Sequence, residues 1–128
     1  MQVLIDTSSF IWFIAGSDKL SINARNFIID INNELILSVA SLWEIAIKAS
    51  IGKIQLSQSF GQLIPEQLQN NGIEVLPIEL KHLSAVIELP FHHRDPFDRL
   101  IIAQGIAEGL PLISNDTNFR KYAVEVLW

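Results

Sequence analysis

Asp95-Pro-Phe-Asp98-Arg-Leu-Ile-Ile-Ala-Gln104 is the stretch from which the fold is read. Asp95 is an N-cap residue, Pro96 stands just inside the start, and apolar residues then recur at helical spacing. Asp95 and Asp98 are three residues apart and share one face of the first turn. Two such carboxylates are either ordinary helix capping or the edge of a metal site. The positions of the other acids decide between these.

On the C-terminal side the helix runs to Gly109, and Leu110–Ile113 reads as a strand whose Pro111 places it at a strand start or edge. Ser114–Asn118 is a turn, Phe119–Tyr122 a short helical turn, and Val124–Leu127 a last strand that Glu125 marks as an edge. On the N-terminal side Pro90–Arg94 is a loop. Before it, Glu79–Leu89 is an amphipathic helix expected to turn Leu80, Leu83, Val86 and Ile87 inward. Ile73–Leu76 alternates as a strand that closes at Pro77. Ser59–Asn70 is helical, broken or restarted at Pro65, with Asn71-Gly72 as its C-cap. Leu35–Leu37 is a strand passing into a helix from Ser38 to near Gly52. Gln2–Ile5 is a strand ending in Asp6-Thr-Ser-Ser9. From Ser9 an apolar helix carries Phe10, Ile11, Phe13 and Ile14 to Gly16, and Ser21 starts another that stops at Asn32-Asn33. Strands alternating with helices define an α/β class: one domain over residues 1–128, a mainly parallel sheet of about five strands with helices on both faces.

Composition fits this and narrows the chemistry. The 128 residues suffice for one core. Hydrophobic residues make up 49% and mean hydropathy is +0.32, which implies a well-filled core or an apolar surface that a partner covers. No apolar run reaches the roughly 18 residues that span a bilayer, and Met1–Asp6 lacks the basic start of a signal peptide. With no cysteine, thiolate sites and disulfides are excluded and a cytoplasmic location is expected. A net charge of −5 argues against a broad basic surface but agrees with a carboxylate cluster neutralised by a cation.

In a parallel sheet, ligands bind beyond the carboxyl ends of the strands. Asp6 follows the first strand, Glu44 lies on the helix after the second, Asp98 on the helix entering the Leu110–Ile113 strand, and Asp116 just beyond that strand. Each has a bland explanation. Asp6 could cap a helix, although Ser8 or Ser9 is free to do so. Glu44 could complete a capping box with Ser41 or pair with Lys48. Asp95 caps, Asp98 gains from the helix dipole, and Asp116 suits an Asx-turn. Together these explanations leave the shared location unexplained. Packed carboxylates raise one another's pKa unless a cation neutralises them, and oxygen ligands suit Mg²⁺ or Mn²⁺. His82 is expected at the surface or rim, and His92-His93 in a loop near the site. The Trp and Phe residues are expected mostly in the core.

Leu-Ile-Asp6-Thr-Ser, Ser-Val-Ala-Ser-Leu-Trp-Glu44-Ile-Ala-Ile-Lys48, Asp95-Pro-Phe-Asp98-Arg99 and Leu-Ile-Ser114-Asn115-Asp116 together resemble the PIN-domain nucleases, in particular VapC-type toxins. The resemblance covers essentially the whole chain. It implies an α/β/α fold and a Mg²⁺- or Mn²⁺-dependent endoribonuclease silenced by a cognate VapB-type antitoxin, and homodimers are common in the family. Asp6, Glu44, Asp98 and Asp116 match its acidic quartet, with Asp6 and Asp98 the first choices as direct ligands. Ser114 matches the small hydroxyl residue before the last acid. Asp95 and Thr7 are expected to support the ligands, and Asn115, Lys48, Arg94 and Arg99 to contact RNA, with a structural ion pair as the rival role for Arg99. A receiver-like phosphoacceptor would need a second acid beside Asp6, and a dehalogenase-like phosphatase an Asp where Ser8 stands. A PIN-fold nucleic-acid-binding or regulatory module without catalytic activity is the remaining alternative.

Overall fold

The computed structural model describes residues 1–128. Five strands, β1 (Gln2–Ile5), β2 (Glu34–Ser38), β3 (Glu74–Leu76), β4 (Leu112–Ile113) and β5 (Val126–Leu127), form one sheet in the order β3-β2-β1-β4-β5. Every pairing is parallel. Six helices alternate with them: α1 (Thr7–Ile14), α2 (Ile22–Ile29), α3 (Val39–Ser50), α4 (Phe60–Asn70), α5 (Leu80–Glu88) and α6 (Pro96–Glu108). A 3₁₀ turn, Thr117–Lys121, precedes β5.

The period-2 alternation of each strand divides the core into two layers. Val3, Ile5, Leu35, Leu37 and Ile113 face one side, where Phe10, Ala24, Ile28 and Ile64 pack on them. Leu4, Ile36 and Leu112 face the other, against Ile101, Ile102, Ala103 and Phe119. From β1 the chain adds β2 and β3 on one side, then returns to place β4 and β5 on the other. The sheet order therefore reverses between β1 and β4, the switch point at which an open α/β sheet leaves a crevice. The expected α/β/α fold with five strands is what the chain adopts.

Three local expectations are corrected. Pro65 does not break α4, which runs unbroken from Phe60 to Asn70. The carbonyl that loses its partner there is that of Gly61, which is exposed, so water can replace the missing N–H. Helix α5 turns most of its apolar stripe outward: of the four residues expected to face inward, only Val86 packs against the core. Leu80 and Ile87 are 82% and 81% exposed, whereas His82 is fully buried. His82 is satisfied there because the backbone N–H of Glu79 donates to its Nδ1 (3.0 Å) and its Nε2 meets Glu108 Oε1 (2.8 Å). Finally, Trp43 and Phe91 lie largely outside the core, while Phe10 and Phe119 are inside it.

These orientations predict opposite costs within one helix. His82→Leu strands the N–H of Glu79 and should destabilise the chain by about 1–3 kcal/mol. Leu80→Ala should cost less than about 0.5 kcal/mol. Urea unfolding of the two variants measures this, and a larger cost for Leu80→Ala would contradict the helix orientation.

Candidate active site

The site is assembled where the switch point opens. Parallel strands send their connecting loops and the starts of the following helices to the same end of the sheet. Asp6 leaves β1, Ser38 ends β2 and starts α3, Ser114–Asp116 leave β4, and α6 arrives with its N-terminus at that end. Between them lies a polar cleft of about 290 Å³ lined by Asp6, Glu44, Asp95, Asp98, Asn115 and Asp116, with Lys48, Thr7, Ser8 and Trp12 completing its wall. The four expected carboxylates thus meet around one cavity. They ring it without collapsing together: no three of them bring one oxygen each within 4.8 Å of one another.

Asp6, Glu44 and Asp116 are each held by local structure with part of the carboxylate left over. Asp6 does cap α1, which begins two residues earlier than its apolar pattern indicates. The N–H of Ser9 donates to Oδ1 (2.9 Å). Capping and site membership are compatible here, because one oxygen serves each. Burial pushes the Asp6 carboxyl above its ordinary range, hydrogen bonding to Ser9 and Ser114 opposes this, and the charge on Asp116 adds to it. Glu44 sits in the second turn of α3, which Ser38 caps through the N–H of Ala40 (3.0 Å). Its Oε2 pairs with Lys48 Nζ at 2.8 Å, while Oε1 is buried with no partner. Asp116 Oδ1 accepts from the N–H of Asn118 (2.9 Å), and Ser114, buried behind it, accepts from the N–H of Asp116 (3.1 Å). Thr7 supports the floor by donating its hydroxyl to Ser41 (2.9 Å).

Asp95 and Asp98 divide their work. Asp95 is exposed and its Oδ1 accepts from the N–H groups of Phe97 (2.9 Å) and Asp98 (3.0 Å), an N-cap in full. Asp98 is pushed up to about 8, first by burial and then by the charges of Asp95, Glu44, Asp6 and Asp116. Lys48 is held above its ordinary range, chiefly by the hydrogen bond to Glu44.

Arg99 is corrected. Its side chain is buried, and it forms no ion pair of the kind considered as its rival role. It donates to the carbonyls of Pro90 (2.8 Å) and Leu89 (3.4 Å) and to Tyr122 Oη (3.2 Å), and it lies 4.1 Å over the Phe91 ring. Neighbours in a helix do not face the same way, so adjacency to Asp98 does not bring Arg99 to the cleft. Arg94 is exposed and borders a separate apolar groove of about 710 Å³, with Trp43, Leu83, Ile87 and Phe97 among its walls. Trp12 and Ser8 belong to the cleft wall without having stood out in the sequence. Ser8 was visible only as one of several small residues after β1, and Trp12 only as part of an apolar helix. A second group of potential ligands, Glu79, His82 and Glu108, lies roughly 15 Å along α6 from Asp98. Lys81 Nζ already stands 3.0 Å from Glu108 Oε1 there, and both nitrogens of His82 are engaged.

The chain belongs to the PIN domain family, whose model matches residues 3–125. Among known proteins, Ribonuclease VapC16 of Mycobacterium tuberculosis is 31% identical over 58 residues, a match covering 45% of this chain and 41% of that protein. The chain therefore matches about two-fifths of the length of that relative. Among solved structures, VapBC2 from Rickettsia felis bound to a DNA fragment from their promoter superposes with a TM-score of 0.73 at 19% identity, covering 100% of both chains. FitAcB from Neisseria gonorrhoeae gives 0.67 at 16% identity over 98% of this chain and 96% of that one. At these identities the structural likeness speaks to the fold.

The donor set fits a hard divalent cation. All its members are oxygens, one of them is a buried Glu44 oxygen without a partner, and the charges of the neighbouring carboxylates add to the upward push that burial gives Asp98. A sign follows. Asp98 holds its proton in the folded state above the pH at which an unfolded Asp releases it. This stabilisation is complete below about pH 4 and is lost as pH rises through about 8. In EDTA, the contribution of Asp98 to stability should fall across that window, and Asp98→Asn should flatten the fall. Thermal denaturation at stepped pH tests this. An equally steep fall in Asp98→Asn would contradict it.

Proposed function

We propose that this chain is a divalent-cation-dependent endoribonuclease acting as the toxin of a toxin–antitoxin pair. The observation that carries the proposal is the convergence of Asp6, Glu44, Asp98 and Asp116, from four separate segments, on one polar cleft. The likeness to a mycobacterial ribonuclease supports RNA as the substrate, and the likeness to the VapBC2 structure supports a VapB-type antitoxin as the partner. The exposed apolar groove beside the cleft gives a protein partner a surface to cover. A second copy of the chain is the alternative occupant. No helix is long and apolar enough to cross a membrane, and a cytoplasmic site of action suits an RNA target.

In this reading Asp6 and Asp98 hold the cation directly, and Glu44 and Asp116 complete its surroundings directly or through water. Mg²⁺ and Mn²⁺ are the ions such oxygens suit. Bound there, the cation supplies Lewis-acid polarisation of the scissile phosphate and a lowered pKa for the attacking water. The chain's own residues do the placing. Asp95 fixes the start of α6 and with it the position of Asp98. Ser114 fixes the Asp116 backbone, and Thr7 ties α1 to α3 beneath the cleft. Lys48 neutralises one oxygen of Glu44 and is 41% exposed at the side chain, so its ammonium is at hand for a phosphate. The exposed Asn115 amide offers a donor on the opposite wall, and Arg94 reaches RNA only beyond the rim.

The expected outcome distinguishes the two acids of α6. Asp98→Asn, like Asp6→Asn, should lower kcat/KM for cleavage of a fluorogenic RNA in Mn²⁺ by more than about a hundredfold, beyond the range of losses typical of supporting residues. Asp95→Asn should lower it by less than about tenfold, because Asn also caps. Equal losses would refute the division, and a wild-type chain inert in both Mg²⁺ and Mn²⁺ would refute the enzyme.

A further inference from the structure

The loop before α6 brings His93 against Asp98 in a way that the proposed reaction leaves unexplained. His93 Nε2 is buried, has no hydrogen-bond partner, and lies 3.4 Å from Asp98 Oδ2. A buried ring nitrogen without a partner is costly if it bears a hydrogen, so which nitrogen bears it matters.

The environment of Tyr122 answers that. Its hydroxyl oxygen takes a hydrogen bond from Arg99 Nη1 (3.2 Å) and another from the backbone N–H of His93 (3.2 Å). A hydroxyl has two lone pairs and one hydrogen. With both lone pairs occupied, its hydrogen is directed to the remaining neighbour, His93 Nδ1, at 2.9 Å. Nδ1 is then an acceptor, and the ring hydrogen sits on Nε2, the nitrogen turned toward Asp98. The ring itself is wedged against Phe119 (6.2 Å between centroids) and Tyr122 (5.5 Å). Arg99 completes the arrangement by fastening the loop through the carbonyls of Leu89 and Pro90.

We propose that His93 is a positioning residue for the cation site: the Arg99–Tyr122–His93 chain holds its Nε2–H beside Asp98 Oδ2, poised to orient that carboxylate. This rests on the reading of the cleft as a cation site. The 3.4 Å separation lies just outside hydrogen-bond alignment, and bonds of this kind tighten when the site is filled. The arrangement resembles in its logic the hydrogen bonds that orient metal-ligating side chains from behind and raise metal affinity by 10–100-fold, a rough general range. It also gives Arg99 and Tyr122, both remote from the cleft, a reason to be where they are.

Two amide variants separate positioning from packing. Asn at position 93 places its carbonyl near Nδ1, keeping the Tyr122 bond, but cannot reach Asp98. Gln reaches the place of Nε2 with an N–H donor but gives up Nδ1. With Mn²⁺ as the probe in calorimetric titration, His93→Asn should lose about 10–100-fold in affinity and His93→Gln less than about threefold. The KM for RNA at saturating Mn²⁺ should be unchanged in both. In the wild-type chain without added metal, ¹⁵N chemical shifts of the His93 ring should show the hydrogen on Nε2, a readout independent of folding in the variants. Equal affinities for the Asn and Gln variants, or a ring hydrogen on Nδ1, would overturn the proposal alone. A wild-type chain that binds no Mn²⁺ would overturn the cation site itself, and the proposal with it.

Discussion

Repulsion among carboxylates buried at the carboxyl end of β1 is the constraint to which much of the molecule answers. Asp6 is 5% exposed and shares its cleft with Glu44, Asp98, Asp116 and the rim acid Asp95. Charges so placed would push a flexible scaffold apart. Here each is anchored through a group that cannot easily move: a helix cap for Asp6 and Asp95, an ion pair for Glu44, and a turn for Asp116. The parallel sheet makes this possible, because its three inner strands, β2, β1 and β4, are nearly fully buried and hold the segments that follow them in fixed register. Asp98 shows the strain most clearly: burial first, and then the charges of its four neighbours, displace its carboxyl to about 8.

The acidic quartet was legible in the sequence because it is encoded by position along the chain. A short buried strand followed by small polar residues fixes where a side chain emerges, and four acids emerged at the same end. The face of α5 was not legible. Periodicity shows that a helix has an apolar stripe, but it does not say whether protein, partner or solvent receives it. Leu80, Leu83 and Ile87 face away from the core, and His82 faces in because Glu79 and Glu108 satisfy both its nitrogens. Arg99 failed for a related reason. Its neighbour in sequence is in the cleft, yet one step along a helix is about 100° of rotation. Asp6 shows the opposite limit: capping and site membership were weighed as rivals, and a carboxylate with two oxygens does both.

The distribution of charge also bears on how RNA would be held. The cleft wall offers one cation, Lys48, and that cation is already shared with Glu44. The net charge of −5 adds no general attraction for a polyanion, so within the cleft few phosphates can be neutralised by side chains. If the proposed function holds, much of the attraction for a scissile phosphate would fall to the cation. The apolar groove lined by Trp43, Leu83, Ile87, Phe91 and Phe97 lies beside the cleft, sharing α3 and α6 with it, so a partner that covers the groove would sit close to the acidic quartet.

The central claim is that the quartet, and no other cluster in the chain, is the cation site. Paramagnetic broadening of backbone amide signals by substoichiometric Mn²⁺ tests it directly, since the effect falls steeply with distance from the ion. Broadening centred on Asp6, Glu44, Asp98 and Asn115–Asp116 is the predicted result. Broadening centred on Glu79, His82 and Glu108, at the far end of α6, would contradict it.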